Sequence, residues 1–183
     1  MSRISRLFLC ALFAVGGVSC SVLHPSVLSQ SDAARVAYLV VSKSAMRLSV
    51  VDSCGHVVAA WPMACGANYG NKQCEGDKKT PEGIFTVQEV LTIQQPEAWH
   101  ASPSDETGSV YGPYFVRLLT PPHTGIGIHG TNQPESIGSR ATLGCVRLRN
   151  RDVEALMPYI RLHLPVYIAP SERDTEADCR LQE

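Results

Sequence analysis

Gly125-Ile126-Gly127-Ile128-His129-Gly130-Thr131 and, a short interval later, Gly144-Cys145-Val146-Arg147-Leu148 both alternate with a period of two, as strands do when successive side chains leave opposite faces. In the first stretch Ile126 and Ile128 share the face expected to be buried, while Gly125, Gly127 and His129 share the other. Two glycines beside an imidazole imply bare backbone and empty space, open to close approach. In the second stretch Val146 and Leu148 point inward and Cys145 and Arg147 share the outward face, roughly 6.5–7 Å apart.

Outward from these stretches, short runs rich in Val, Leu and Ile recur at 36–41, 46–51, 57–63, 84–90, 114–119 and 166–168, with Ser53-Cys54-Gly55-His56 as a hairpin turn. The expected fold is mainly β and β-sandwich-like. One helix is expected after Cys145: Asn150 can cap it, Asp152 suits its first turn, and Val153, Leu156, Met157 and Ile160 follow helical spacing, with Pro158 ending or kinking it. Residues 94–111 have no period and read either as a functional lid or as filler. Residues 171–183 are charged and read as a flexible tail.

The chain of 183 residues, 44% hydrophobic and 18% charged, is sized and composed for one globular domain. Sixteen basic against seventeen acidic residues leave no excess with which to neutralise a phosphate backbone, so nucleic acid is not an expected partner. Arg3 and Arg6 precede an uncharged stretch of 12 residues from Leu7 to Val18, too short to span a bilayer and suited to a secretory signal. Residues 1–19 are therefore read as a removable leader, 20–35 as a tether and 36–170 as the working domain. Gly17-Val18-Ser19-Cys20 also partly matches a lipoprotein cleavage site, which would tie the protein to membrane through Cys20; ordinary cleavage is the alternative. Both place the domain in the periplasm or cell envelope. Cysteine pairing is permitted there, and Cys65 with Cys74 could close a polar loop, or both could stay free. No C-x-x-C or H-x-x-x-H spacing marks a zinc site, and no cofactor is implied.

A cysteine is a nucleophile as its thiolate, and an unperturbed thiol has a pKa of about 8.5. Cys145 therefore needs a base or a cation, and His129 and Arg147 supply them. The amide N–H groups of Gly144 and Cys145 are expected to face a developing oxyanion. Taken singly, Cys145 reads equally as a structural thiol, Arg147 as a surface charge and Gly144 as a turn residue. Together with His129 they read as a site that needs its sulfur ionised beside an imidazole.

The same residues carry a signature. Ile128-His129-Gly130-Thr131, Ile137-Gly138, Thr142-Leu143-Gly144-Cys145-Val146-Arg147 and Asn150-x-Asp152-Val153 resemble the catalytic domain of the L,D-transpeptidases, the YkuD family. Thr80-Pro81-Glu82-Gly83-Ile84-Phe85 is similar to its T-P-x-G-x-F element, and Leu143 departs from the polar residue usual at its position. The resemblance spans about 36–169 and implies Cys145 as nucleophile and His129 as base on peptidoglycan tetrapeptide stems. Arg147, Gly127, Gly130 and Thr131 are the implied substrate contacts, and Gly130 or Thr131 would orient the second imidazole nitrogen. The acceptor it implies is another stem's amine or an envelope lipoprotein. Water would make the domain a carboxypeptidase, and an inert Cys145 would leave a peptidoglycan-binding protein.

Overall fold

The computed structural model describes residues 35–92 and 110–180. The expected leader, nearly all of the tether and most of the 94–111 loop lie outside them. Ten strands form: β1 (Val36–Ser42), β2 (Arg47–Asp52), β3 (Val57–Pro62), β4 (Cys65–Gly66), β5 (Gly83–Thr92), β6 (Tyr114–Leu119), β7 (Gly127–His129), β8 (Arg140–Thr142), β9 (Val146–Arg147) and β10 (Pro165–Ala169). Eight make one sheet in the order β3-β2-β1-β10-β5-β6-β7-β9, and β4 pairs with β8.

Alternation sets the inner face. Leu39 and Val41, Leu48 and Val50, Val116 and Leu118, and Val166 and Ile168 are all buried in one core with Ile128, Val146 and Leu148. The sheet curls until its ends meet. Just after β3, Ala64 exchanges both backbone hydrogen bonds with Arg147 of β9, at 2.8 and 2.9 Å, so the two strands at the sheet's ends are bridged. This curled sheet is the form the expected sandwich-like, mainly β fold takes.

Helix α1 (Asn150–Leu156) follows β9. Seven residues do not hold a helix alone; Val153 and Leu156, both fully buried, fix it to the core, each worth roughly 1.5–3 kcal/mol of burial. Pro158 lies in the single 3-10 turn (Met157–Tyr159) that ends it. The expected cap is corrected: Arg149 is the N-cap, without a side-chain cap bond, because the Asn150 side chain instead accepts the Thr131 amide at 2.7 Å.

The expected flexible tail is also corrected, since Glu172–Cys179 forms a second helix, α2. Ser171 and Asp174 make a reciprocal capping box at its start. Asp174 is completely buried. It accepts the Gly70 amide at 2.8 Å and meets Lys43 Nζ at 3.1 Å and Arg140 Nη2 at 2.7 Å. Burial alone would raise its pKa, but the Ser171 hydroxyl and amide, the Gly70 amide and Lys43 outweigh that and hold it at about 2. Asp174 thus docks the start of the helix, and Asp178, accepting the Asn71 amide at 2.9 Å, docks its end. No helix among the described residues is long and apolar enough to cross a membrane.

Candidate active site

Strands β7 and β9 run parallel, with Ile128 beside Val146 and His129 beside Arg147. Ile128 and Val146 go to the core, so Gly127, His129, Cys145 and Arg147 share the opposite face. Cys145 lies one residue before β9, next to the Ile128–Val146 pair on the Gly127 side of His129. The Cys145 thiol donates to Gly125 O at 3.4 Å, and the Gly127 amide hydrogen-bonds to the sulfur.

The histidine does not face empty space. Phe115, its cross-strand neighbour on β6, stacks on the imidazole with centroids 5.5 Å apart and planes 5° off parallel. Tyr111 meets the same ring edge-on at 4.9 Å. A Cβ on Gly127 would lie 2.4 Å from the Phe115 ring, so that glycine makes room for an aromatic residue of the protein itself. Of Gly125, Gly127 and Gly130, Gly125 alone keeps open space around it. Gly130 and Thr131 are likewise buried in packing: a Cβ on Gly130 would meet Asn150 Oδ1 at 2.4 Å, and the Thr131 hydroxyl accepts the Gln133 amide. Gly127, Gly130 and Thr131, expected as substrate contacts, are thus packed against protein atoms on these sides.

His129 Nδ1 lies 2.6 Å from Gly130 O. A carbonyl only accepts, so Nδ1 carries the proton and Nε2 holds the lone pair. Burial, assisted by the Arg147 charge and opposed by the Gly130 bond, lowers the imidazole pKa to about 4. Burial pushes the Cys145 thiol up, against the pull of the Gly127 amide, Lys72, Arg147 and Arg117. Ordinary values of about 8.5 and 6.5 already favour a neutral pair, and both shifts widen that gap. Both directions favour a neutral thiol and a neutral imidazole over an ion pair at rest.

The turn that carries Cys145 is held by Thr142. Its hydroxyl donates to Cys145 O at 2.7 Å and accepts the Gly144 amide at 3.1 Å. The Gly144 N–H is thereby occupied, which removes it from the expected oxyanion pair. The Cys145 amide has no hydrogen-bond acceptor among the described residues. Gly144 sits at φ +138°, where a Cβ would strike Lys79 O at 2.8 Å, so both conformation and space demand glycine. Leu143, 75% exposed, marks the apolar rim.

Arg147 is nearly buried. Its Nη1 donates to Gln133 Oε1 at 3.1 Å and Ser136 Oγ at 3.0 Å, and its Nε is buried with no partner. Burial lowers its pKa, with Cys145 and Glu135 opposing.

The 66–82 segment supports the site from the side. Asp77 binds Lys72 Nζ at 2.8 Å and the amides of Gln73, Cys74 and Lys79, which together overcome burial and drive its pKa far below the carboxylate range. Thr80 accepts the Gly66 amide, and Gly83 opens β5. Cys65 is free and buried against Met46, and Cys74 is free and exposed, so the two are unpaired. His123 meets Lys72 O at 3.0 Å, as part of a loop. Phe115, Thr142, Lys72 and Asp77 went unread as site residues; only strand pairing and loop closure bring them there.

A histidine on β7 and a cysteine one residue before the parallel strand β9, the thiol half-buried and the imidazole held at Nδ1, thus sit at one end of the curled sheet. The chain belongs to the L,D-transpeptidase catalytic domain family, whose model matches residues 36–168. YqjB of Bacillus subtilis, itself assigned provisionally as an L,D-transpeptidase, is 28% identical over 93% of this chain and 89% of its own. The structure of Bdellovibrio bacteriovorus Bd1075 is similar over 81% of this chain with a TM-score of 0.52 and 26% identity. That of the helical cell shape determining protein Pgp2 of Campylobacter jejuni is similar in fold over 76%, with a TM-score of 0.57 and 22% identity. This chain spans 57% and 49% of the lengths of those two proteins.

Proposed function

We propose that this chain is an exported cysteine L,D-transpeptidase acting on peptidoglycan tetrapeptide stems. The Cys145 thiol gives its proton to His129 Nε2 as sulfur bonds to the carbonyl carbon of the third stem residue. The C–N bond to the terminal D-Ala then breaks, the imidazolium returns the proton to the departing amine, and a thioester remains on Cys145. The Cys145 amide is the donor available to the tetrahedral oxyanion. Arg147, whose charge pulls the Cys145 thiol down, supports the sulfur anion as it forms. An amine acceptor then attacks the thioester. A second stem's side-chain amine gives a 3→3 cross-link, and a lysine of an envelope lipoprotein attaches that protein to the wall.

The observation that carries this reading is the imidazole fixed at Nδ1 by Gly130 O on the strand beside Cys145. Export rests on the leader and leaves the anchor at Cys20 as one of two outcomes of its cleavage. Purified muropeptides incubated with the protein, with and without an amine acceptor, test the reaction. Cross-linked product that appears only with acceptor supports transpeptidation. Free tripeptide formed at the same rate with and without it would mean that water is the acceptor and the domain is a carboxypeptidase.

A further inference from the structure

The turn between β2 and β3 folds three different metal-binding side chains into one place. Asp52, Cys54 and His56 each offer a ligand atom, and these atoms all lie within 4.8 Å of one another. Asp52 Oδ1 accepts the amides of Cys54 and His56 at 2.9 and 2.8 Å, which fixes the carboxylate and leaves Oδ2 turned toward His56. Oδ2 and His56 Nδ1 are 3.4 Å apart. That is long for a hydrogen bond, yet two ligands on one tetrahedral ion at about 2.0–2.1 Å stand ~3.3 Å apart. A thiolate at about 2.3 Å from the same ion would stand ~3.6 Å from either, so the exposed Cys54 side chain needs to close by about 1 Å. Gly55, at φ +84° with nothing within 4 Å, leaves the turn free of crowding.

We propose that Asp52, Cys54 and His56 form a surface site for one divalent, borderline-soft transition ion of the Zn2+ type, with water as the fourth ligand. One carboxylate and one thiolate neutralise the ion, and the imidazole and sulfur select against hard cations such as Ca2+ and Mg2+. Binding releases the Cys54 proton. The sequence pattern D-x-C-x-H matches no usual zinc spacing, and only the hairpin brings the donors together. The ion would pin the hairpin that carries β3, away from the β7–β9 face.

The test is Co2+ and Zn2+ titration of the full chain in a Cys145→Ser background, which removes the site thiol from competition. The expected result is one saturable equivalent with a thiolate-to-Co2+ charge-transfer band, displaced by Zn2+, and a melting temperature that rises with Zn2+. The band should vanish in Cys54→Ser and persist in Cys74→Ser. Affinity should fall at least tenfold in His56→Ala and in Asp52→Asn, whose amide can still accept the turn's hydrogen bonds and keep the fold. A band retained in Cys54→Ser, wild-type affinity in both other variants, or no saturable binding at all overturns the proposal.

Discussion

Gly127→Ala tests whether the histidine's position depends on the aromatic packing behind it. The new Cβ would lie 2.4 and 2.5 Å from two Phe115 ring carbons and 2.9 Å from Val116 O, where ordinary contact begins at 3.4 Å. The ring must move by about 1 Å, and the neighbouring strand's carbonyl by about half that. The ring is not free to slide, since His129 stacks on it and Tyr111 abuts both. Overpacking of this kind costs about 1–3 kcal/mol, a fall in melting temperature of roughly 3–10 °C for a domain of this size. A displacement of ~1 Å at the general base can slow chemistry about a hundredfold. Thermal melts and the rate of Cys145 acylation by a tetrapeptide donor measure the two effects. Phe115→Leu in the same chain should recover part of the lost stability, a coupling of about 1 kcal/mol or more in the double-mutant cycle. Gly127→Ala with unchanged melting temperature and acylation within twofold of wild type would refute the argument that this glycine exists to seat Phe115.

The kcat/KM profile for D-Ala release should show its acid limb near pH 4 and stay level through neutrality, because His129, held at about 4, is the neutral base above that value; a limb near 6.5 contradicts it. Arg147→Lys keeps the charge but loses the planar donor set that ties Gln133 and Ser136, so donor kcat/KM should drop at least tenfold in a folded protein, and unchanged turnover removes its role at the site. Thr142→Val leaves the Gly144 amide and the Cys145 carbonyl without their partner, about 1–3 kcal/mol per buried group; acylation should fall about ten- to a hundredfold and recover in Thr142→Ser. Asp174→Asn removes the carboxylate shared by Lys43 and Arg140, which keep Glu82 and the Gly66 and Asn68 carbonyls, and should destabilise the fold by about 2–3 kcal/mol in urea titration. Since the folded pKa of Asp174 is about 2 and the unfolded one about 3.9, its stabilisation is full above pH 4 and disappears as pH falls through 2, so the variant's deficit should shrink in that window.

The strands were legible because period two survives in short segments: Leu39 and Val41, or Val166 and Ile168, mark the buried face without any knowledge of their partners. β4 and β8, two and three residues long, offer no such period and exist only through their pairing. The capping pattern Ser171-x-x-Asp174 was present to be read as a helix start; the charges around it suggested solvent, and nothing in the local sequence places Lys43 and Arg140 against Asp174. The site shows the same division. Cys145, His129 and Arg147 follow from alternation within two strands, and the register of β7 with β9 joins them. Gly127 was misread because its reason lies on β6, in a phenylalanine ring that only strand pairing sets opposite it. The direction of both pKa shifts is not local in sequence, because burial, which depends on the whole fold, is the largest cause of each.

Acylation of Cys145 by a stem tetrapeptide, with His129 as base, is read by intact-protein mass spectrometry after incubation with a disaccharide tetrapeptide. The wild-type protein should carry an adduct of the donor less its terminal alanine, strongly diminished in His129→Ala and absent in Cys145→Ala. An adduct that survives Cys145→Ala, or a folded wild-type protein that never takes one up, contradicts it.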